Sequence, residues 1–292
     1  MDLRAISMGV AFALMWSSAF TSARIIVAAA PPMTALSLRF LISGLLAVLL
    51  ARLMGQSWRL SRAQWRATII FGICQNALYL GLNFIAMQTV QASLASIIAS
   101  TLPLMVAVAG WAFFHERPGA LGMAGLLAGF LGVAIIMGSR MQADSVDLVG
   151  VGLCILGALS LTVATLALKG ASSGGNFMMI VGLQMLIGSA VLALPAAAME
   201  TVTIDWSWTL VVAFAYTTLV PGLAATLVWF FLVHRIGAVK AATFHFLNPF
   251  FGVAIAALIL HEALGPRDLL GVAIITGGIL AVQLSKQKPT RT

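Results

Sequence analysis

The chain is organised as long apolar blocks with short polar breaks between them. Ten apolar runs stand at approximately 5–28, 32–51, 67–87, 92–114, 119–138, 148–168, 176–198, 208–233, 238–260 and 268–285. A helix crossing a bilayer takes about 20 apolar residues, and each run is close to that length. None shows the short apolar–polar alternation of a barrel strand. The pattern predicts an all-α integral membrane protein of ten transmembrane helices. The longest polar break, 52–66, reads as an amphipathic surface segment that serves topology. The first 23 residues resemble a signal peptide, with Arg4, an apolar stretch and then Ala19-Phe20-Thr21-Ser22-Ala23. Retention is expected, because the segment has a counterpart later in the chain.

Composition sharpens this reading. Apolar residues make up 61% of the 292 and charged ones 8%, against about 25% charged in a soluble domain. That excludes an ordinary soluble enzyme and a disordered chain. The net charge of +8 would suggest nucleic acid in a soluble protein. Here it reports orientation, and no nucleic-acid partner is expected. With the N-terminus in the cytoplasm, twelve of the sixteen Lys and Arg fall on the inner side. Only Arg24, Arg140 and Arg267 fall outside, and Arg39 lies within the second span. The positive-inside bias places both termini in the cytoplasm. Arg24 is placed to snorkel to the outer surface. Trp58 and Trp65 on one side, with Trp206 and Trp208 on the other, suit interfacial anchoring. Cys74 and Cys154 lie inside apolar runs and read as packing residues.

The chain also repeats itself at an offset near 146. Phe84 falls on Phe230, Ala92 on Ala238, Ala95 on Ala241 and Pro103 on Pro249. His115-Glu116 falls on His261-Glu262, Gly125 on Gly271 and Gly132 on Gly278. The repeats are expected to divide the chain into 1–143 and 144–292, five helices each. Five is odd, so the halves run in opposite senses through the membrane. Inverted repeats are a mark of secondary transporters; a duplicated scaffold is the alternative.

Several segments carry a family likeness. Ala77-Leu78-Tyr79-Leu80-Gly81-Leu82-Asn83-Phe84, then Ala92-Ser93-Leu94-Ala95-Ser96, Pro103 and His115-Glu116-Arg117-Pro118, resemble the first repeat of the drug/metabolite transporter superfamily. Trp229-Phe230-Phe231, Asn248-Pro249 and His261-Glu262-Ala263-Leu264 resemble its second repeat. Trp16-Ser17-Ser18-Ala19-Phe20 and Leu38-Arg39-Phe40 are similar to its first two helices. The chain thus resembles the ten-helix EamA-type exporters, and within them bacterial aromatic amino-acid exporters. The resemblance implies export of amino acids, aromatic or otherwise apolar, and related small metabolites across the bacterial cytoplasmic (inner) membrane by alternating access. The alternatives are a passive channel or facilitator, and an exporter of other drug-like compounds. His115-Glu116 and His261-Glu262 depart from the family's usual Gly-Glu.

Polar groups within hydrocarbon are costly, so their faces are informative. Asn76, Tyr79 and Asn83 share one face of the third helix. Ser93, Ser96 and Ser100 share a face of the fourth. The mates of these faces in the second repeat are Gly222, Ala225 and Trp229, then Val239, Ala242 and Phe246. Trp16, Ser17 and Phe20, with Thr162 and Thr165, are expected to complete a pathway for a small-molecule substrate. For any single residue, interhelical hydrogen bonding is the competing role. His245 is the one deep imidazole, a substrate or proton ligand or else a packing residue. Arg39 is suited to a substrate carboxylate, although the resemblance favours a structural role. All eight Asp and Glu sit at span ends or in loops, which disfavours proton antiport through a buried carboxylate and favours a neutral or zwitterionic substrate. The candidate substrate-binding residues are Trp16, Ser17, Asn76, Tyr79, Asn83, Ser96, Ser100, Thr165, Trp229 and His245. Pro103, Pro221 and Pro249 are candidate hinges, read as mid-helix prolines. Gly122, Gly125, Gly129 and Gly132, facing Gly271, Gly277 and Gly278, predict close packing of the fifth and tenth helices. That pairing is internal, which favours a monomer over a homodimer. There is no HExxH or Walker A sequence, so no enzyme activity, cofactor or metal is expected.

Overall fold

The computed structural model describes residues 3–115, 119–142, 147–167, 174–236, 241 and 243–285. Glu116, Arg117, Pro118, Ala238, Val239 and Ala242 lie outside the described residues.

The described residues form helices and connections with no strand among them. The ten helical spans are α1 (Leu3–Val27), α2 (Pro32–Leu53), α3 (Arg62–Ala86), α4 (Ala92–Ser100 continued by Leu102–Phe114), α5 (Ala120–Gln142), α6 (Leu148–Ala167), α7 (Phe177–Met199), α8 (Trp208–Leu219 continued to Ile236), α9 (Thr243–Leu247 continued by Asn248–Leu260) and α10 (Pro266–Ser285). Nine of them are long and apolar enough to cross a membrane; the described part of α9 is shorter.

The expected boundaries hold to a few residues, with one correction. Residues 62–66 keep to the surface, but they are the first turn of α3 and not a separate segment. Ser61 accepts a hydrogen bond from the Gln64 backbone N–H while the Gln64 side chain accepts from Ser61 N–H. This capping box satisfies two exposed donors and starts the helix earlier than hydropathy alone indicates. A second correction concerns Arg24. Its guanidinium donates to the Met87 carbonyl beyond the end of α3, so it satisfies backbone rather than reaching only for water.

Helix starts are satisfied by distant carboxylates as well as by local caps. Glu200 accepts from Met33 N–H and Thr34 N–H, both at 2.8 Å, at the start of α2. Glu262 does the same for Ala92 N–H at 2.7 Å and Ser93 N–H at 3.0 Å at the start of α4. The first N–H groups of a helix have no internal acceptor, and a carboxylate also suits the positive end of the helix dipole.

The irregularities recur at the repeat offset. In α3, Gly72–Tyr79 widens into a π turn, and in α8 Val220–Ala224 does so. Pro221 has no N–H to return to Thr217, which accounts for the second. Helix α4 is interrupted at Thr101, and α9 opens with a 3-10 segment, Thr243–Leu247. Pro103 and Pro249 therefore stand in the first turn of the segments that follow, not in mid-helix. A first-turn proline forfeits no helical hydrogen bond. His115 and His261 end α4 and α9 in the left-handed region, with φ of 58° and 54°. Glycine is the usual residue there, so the family's Gly marks a conformation that these histidines adopt at a cost of about 1 kcal/mol.

By contacts the chain forms two compact units, each drawing on both sequence halves. One comprises Met1–Thr21, Thr89–Val151 and Ala224–Thr292; the other comprises Ser22–Gln88 and Gly152–Leu223. Each is built on a close helix pair. In the first unit α5 meets α10: a Cβ on Gly278 would stand 2.7 Å from the Gly125 carbonyl, and one on Gly132 would stand 2.8 Å from the Gly271 carbonyl. In the second unit α2 meets α7, where a Cβ on Gly44 would stand 3.1 Å from the Gly182 carbonyl. The expected packing of the fifth and tenth helices is thus present, except that Gly277 faces open space. In hydrocarbon, association rests on such close packing.

These glycines make opposite predictions for one substitution. Gly278→Ala places a methyl group against backbone and should cost about 1–3 kcal/mol, as overpacking does. Gly277→Ala should raise stability slightly through helix propensity, by up to about 1 kcal/mol. Melting temperatures of the two purified variants check this, and equal shifts would contradict the assigned interface.

Candidate functional site

In the first compact unit, three of the expected residues meet around one that sequence reasoning did not single out. Phe12, one helical turn before Trp16 on α1, is 3% exposed. Its ring lies 5.8 Å from Trp16, 4.7 Å from Trp229 and 5.3 Å from His245, the last edge-on at 87°. Trp229 and His245 are themselves 5.2 Å apart. These are the separations of attractive aromatic pairs, each worth about 0.5–1.5 kcal/mol beyond burial. Phe12 is the buried centre, whereas Trp16, Trp229 and His245 are less completely buried. The i, i+4 spacing of Phe12 and Trp16 was the available signal for Phe12.

Polar groups lie directly beside these rings. The Asn248 amide Nδ2 is 2.9 Å from His245 Nδ1. With the amide donating, the ring accepts at Nδ1, so the proton of the neutral imidazole stands on Nε2. Ser17 Oγ donates to the Asn248 carbonyl at 3.2 Å. Asn248 Oδ1 is buried and has no partner among the described residues. The site therefore combines aromatic surface with an unused acceptor, a pairing suited to a ligand with an apolar body and a donor group.

Ser96 and Ser100 belong to the same unit but have other surroundings. A Cβ on Gly252 of α9 would stand 1.8 Å from Ser96 Oγ, so Ser96 fills a close crossing of α4 and α9. Its hydroxyl has no partner among the described residues. Ser100 donates to the Ser96 carbonyl at 2.7 Å. Pro103 and Pro249 are buried at the broken points of these two helices.

The second unit holds Asn76, Tyr79, Asn83 and Thr165. Asn76 lies against Gly188 of α7, where a Cβ would meet the Asn76 Cβ at 2.4 Å. Tyr79 is 2% exposed at the end of the π turn, and its backbone abuts Gly157 of α6. Asn83 Nδ2 donates to the Tyr79 carbonyl at 2.8 Å, leaving its buried Oδ1 without a partner among the described residues. Thr165 Oγ1 donates to the Leu161 carbonyl at 2.8 Å, as Thr162 does to Ala158 at 2.9 Å. Such i−4 bonds satisfy a hydroxyl within its own helix. Pro221 is buried in the second π turn, beside Gly222.

This architecture is that of a multi-pass membrane transporter. The EamA-like transporter family matches the chain twice, at residues 3–138 and 148–284, and the chain belongs to that family. The transporter YvbV of Bacillus subtilis, described as uncharacterized, is 27% identical over 92% of this chain and 88% of its own length. YoaV of the same organism, also described as an uncharacterized transporter, is 23% identical over 91% and 92%. An uncharacterized transporter of Archaeoglobus fulgidus is 22% identical over 91% and 94%. A solved crystal structure shares the fold with a TM-score of 0.70 at 20% identity, covering 97% of this chain and 98% of that one.

Proposed function

We propose that this chain is a secondary carrier that exports amino acids with aromatic or other apolar side chains, and related small metabolites. It works as a monomer across the bacterial cytoplasmic membrane by alternating access, with both termini inside. The observation that carries the reading is the ring cluster of Phe12, Trp16, Trp229 and His245 beside the unpaired Asn248 amide oxygen. The rings offer stacking to an aromatic or branched side chain. The amide oxygen and the Ser17 hydroxyl offer partners to an amino group. The position of every Asp and Glu at a span end or in a loop, with none in mid-span, supports a zwitterion over a dication.

Counterflow into liposomes containing the purified chain tests this. Saturable exchange is expected, strongest for aromatic amino acids, weaker for branched ones and weakest for hydroxy amino acids. Unsaturable conductance would indicate a channel. Trp229→Ala should reduce exchange of a large substrate at least several-fold more than that of a small one, per folded protein, and Trp229→Phe should keep most of it. Equal loss for both substrates would make Trp229 a packing residue.

The hinge proposal rests on the paired irregularities. Pro103 and Pro249 stand just after the breaks of α4 and α9, and Pro221 stands in the π turn of α8. A first-turn proline keeps a broken helix from fusing into a straight one. The double variant Pro103→Ala/Pro249→Ala should therefore slow turnover while leaving half-saturation nearly unchanged. Unaltered turnover would remove the hinge assignment.

A further inference from the structure

The connection from α2 to α3, residues 52–66, joins two spans at one face of the membrane. It carries Arg52, Arg59, Arg62 and Arg66, all of them exposed. None of the four guanidinium groups has an ion pair or a hydrogen bond among the described residues. The sequence holds no Asp or Glu anywhere from residue 3 to residue 115, so no acidic neighbour along the chain offsets them.

The uncharged polar groups of the same segment are used to fix it in place. Gln56 Oε1 accepts from the Met179 N–H at 3.0 Å, at the start of α7. Ser57 N–H donates to Asn176 Oδ1 at 2.9 Å, and Ser57 Oγ accepts from the Arg59 N–H at 3.1 Å. Ser61 and Gln64 close the capping box of α3. The segment is thus anchored through its glutamines and serines, and what it turns outward is the arginines with Trp58, which is 64% exposed.

Lipid lies directly alongside. Leu38, Leu41, Leu45 and Leu49 are exposed at steps of three and four along α2, one continuous face that hydrocarbon covers in a bilayer. Arg52 and Leu53 continue that line and are exposed as well. A lipid whose chains lie along these leucines has its headgroup at the level of Arg52, and Trp58 suits the same interfacial depth. A phosphate accepts paired N–H bonds from a guanidinium. A choline or ethanolamine headgroup brings a cation of its own, and this segment has no carboxylate to receive it. An anionic headgroup has no such mismatch.

We infer that the α2–α3 connection is a docking surface for anionic phospholipid of the leaflet it faces, held phosphate to guanidinium. This goes beyond the carrier reading and holds whatever molecule is transported.

The test titrates phosphatidylglycerol or phosphatidylcholine into the detergent-solubilised full chain and reads thermal stabilisation. A basic side chain near an anionic lipid surface contributes about fivefold in affinity. The wild type should reach half-maximal stabilisation at a phosphatidylglycerol fraction at least about tenfold below that for phosphatidylcholine. In Arg59→Gln/Arg62→Gln/Arg66→Gln the two lipids should come within about twofold of each other, with phosphatidylcholine unchanged. A control that removes three cations elsewhere, Arg4→Gln/Lys286→Gln/Lys288→Gln, should keep the preference. If the first triple variant does not fold, Arg62→Gln and Arg66→Gln singly decide, each raising the half-saturating phosphatidylglycerol fraction about threefold or more. No preference in the wild type overturns the inference, as does a preference that survives the arginine substitutions. Equal loss in the control overturns it in favour of net charge alone. Stabilisation by glycerol 3-phosphate as large as that by phosphatidylglycerol overturns it in favour of a soluble anion.

Discussion

Hydrocarbon offers no hydrogen bonds, and this constraint governs the protein from end to end. Each backbone N–H and C=O within the bilayer has to find its partner inside the chain, so the spans are helical and every departure from a helix needs compensation. Glu200 and Glu262 supply acceptors to the first N–H groups of α2 and α4 from far along the sequence. Arg24 serves a carbonyl beyond the end of α3. Thr162, Thr165, Thr217 and Thr218 return their hydroxyls to their own helices. Among the described residues the buried side-chain groups left unsatisfied are few, and those of Arg39, Asn83, Ser96 and Asn248 are among them. In such a medium these exceptions are the informative places.

The repeat gives the irregularities their meaning. A π turn in α3 has one in α8, a break in α4 has a 3-10 entry in α9, and a left-handed histidine closes both α4 and α9. One irregular turn is explicable by one residue, as Pro221 explains that of α8. The turn in α3 has no proline and occurs at the equivalent place. The shared geometry is a property of the architecture, with the local sequence adapted to it. The two units follow the same plan, each organised on a helix and its repeat counterpart packed through glycines.

Much of this was legible in the sequence. Long apolar blocks announce membrane helices because the bilayer fixes their length. The small-residue faces of α5 and α10 announce their contact, since only glycine admits backbone so close. The start of α3 was misplaced because a capping box overrides hydropathy when the first turn is polar. The site was less legible. Trp16, Trp229 and His245 stood out by their rarity in deep positions, but Phe12, one of sixteen phenylalanines, did not, although its ring joins all three. Asn76 and Asn83 look alike in sequence, yet one fills the space above Gly188 and the other bonds the Tyr79 carbonyl. Face periodicity shows which residues point together; it does not tell a ligand's partner from a neighbouring helix's.

The central claim is that the rings of the Phe12 cluster receive the side chain of the transported molecule. It is tested most directly by an experimental structure of the protein with an aromatic amino acid bound. The account predicts the ligand ring within about 4.5–7 Å of the Trp16 or Trp229 ring, the range of aromatic pairs. A ligand seated with its ring against neither tryptophan would contradict it.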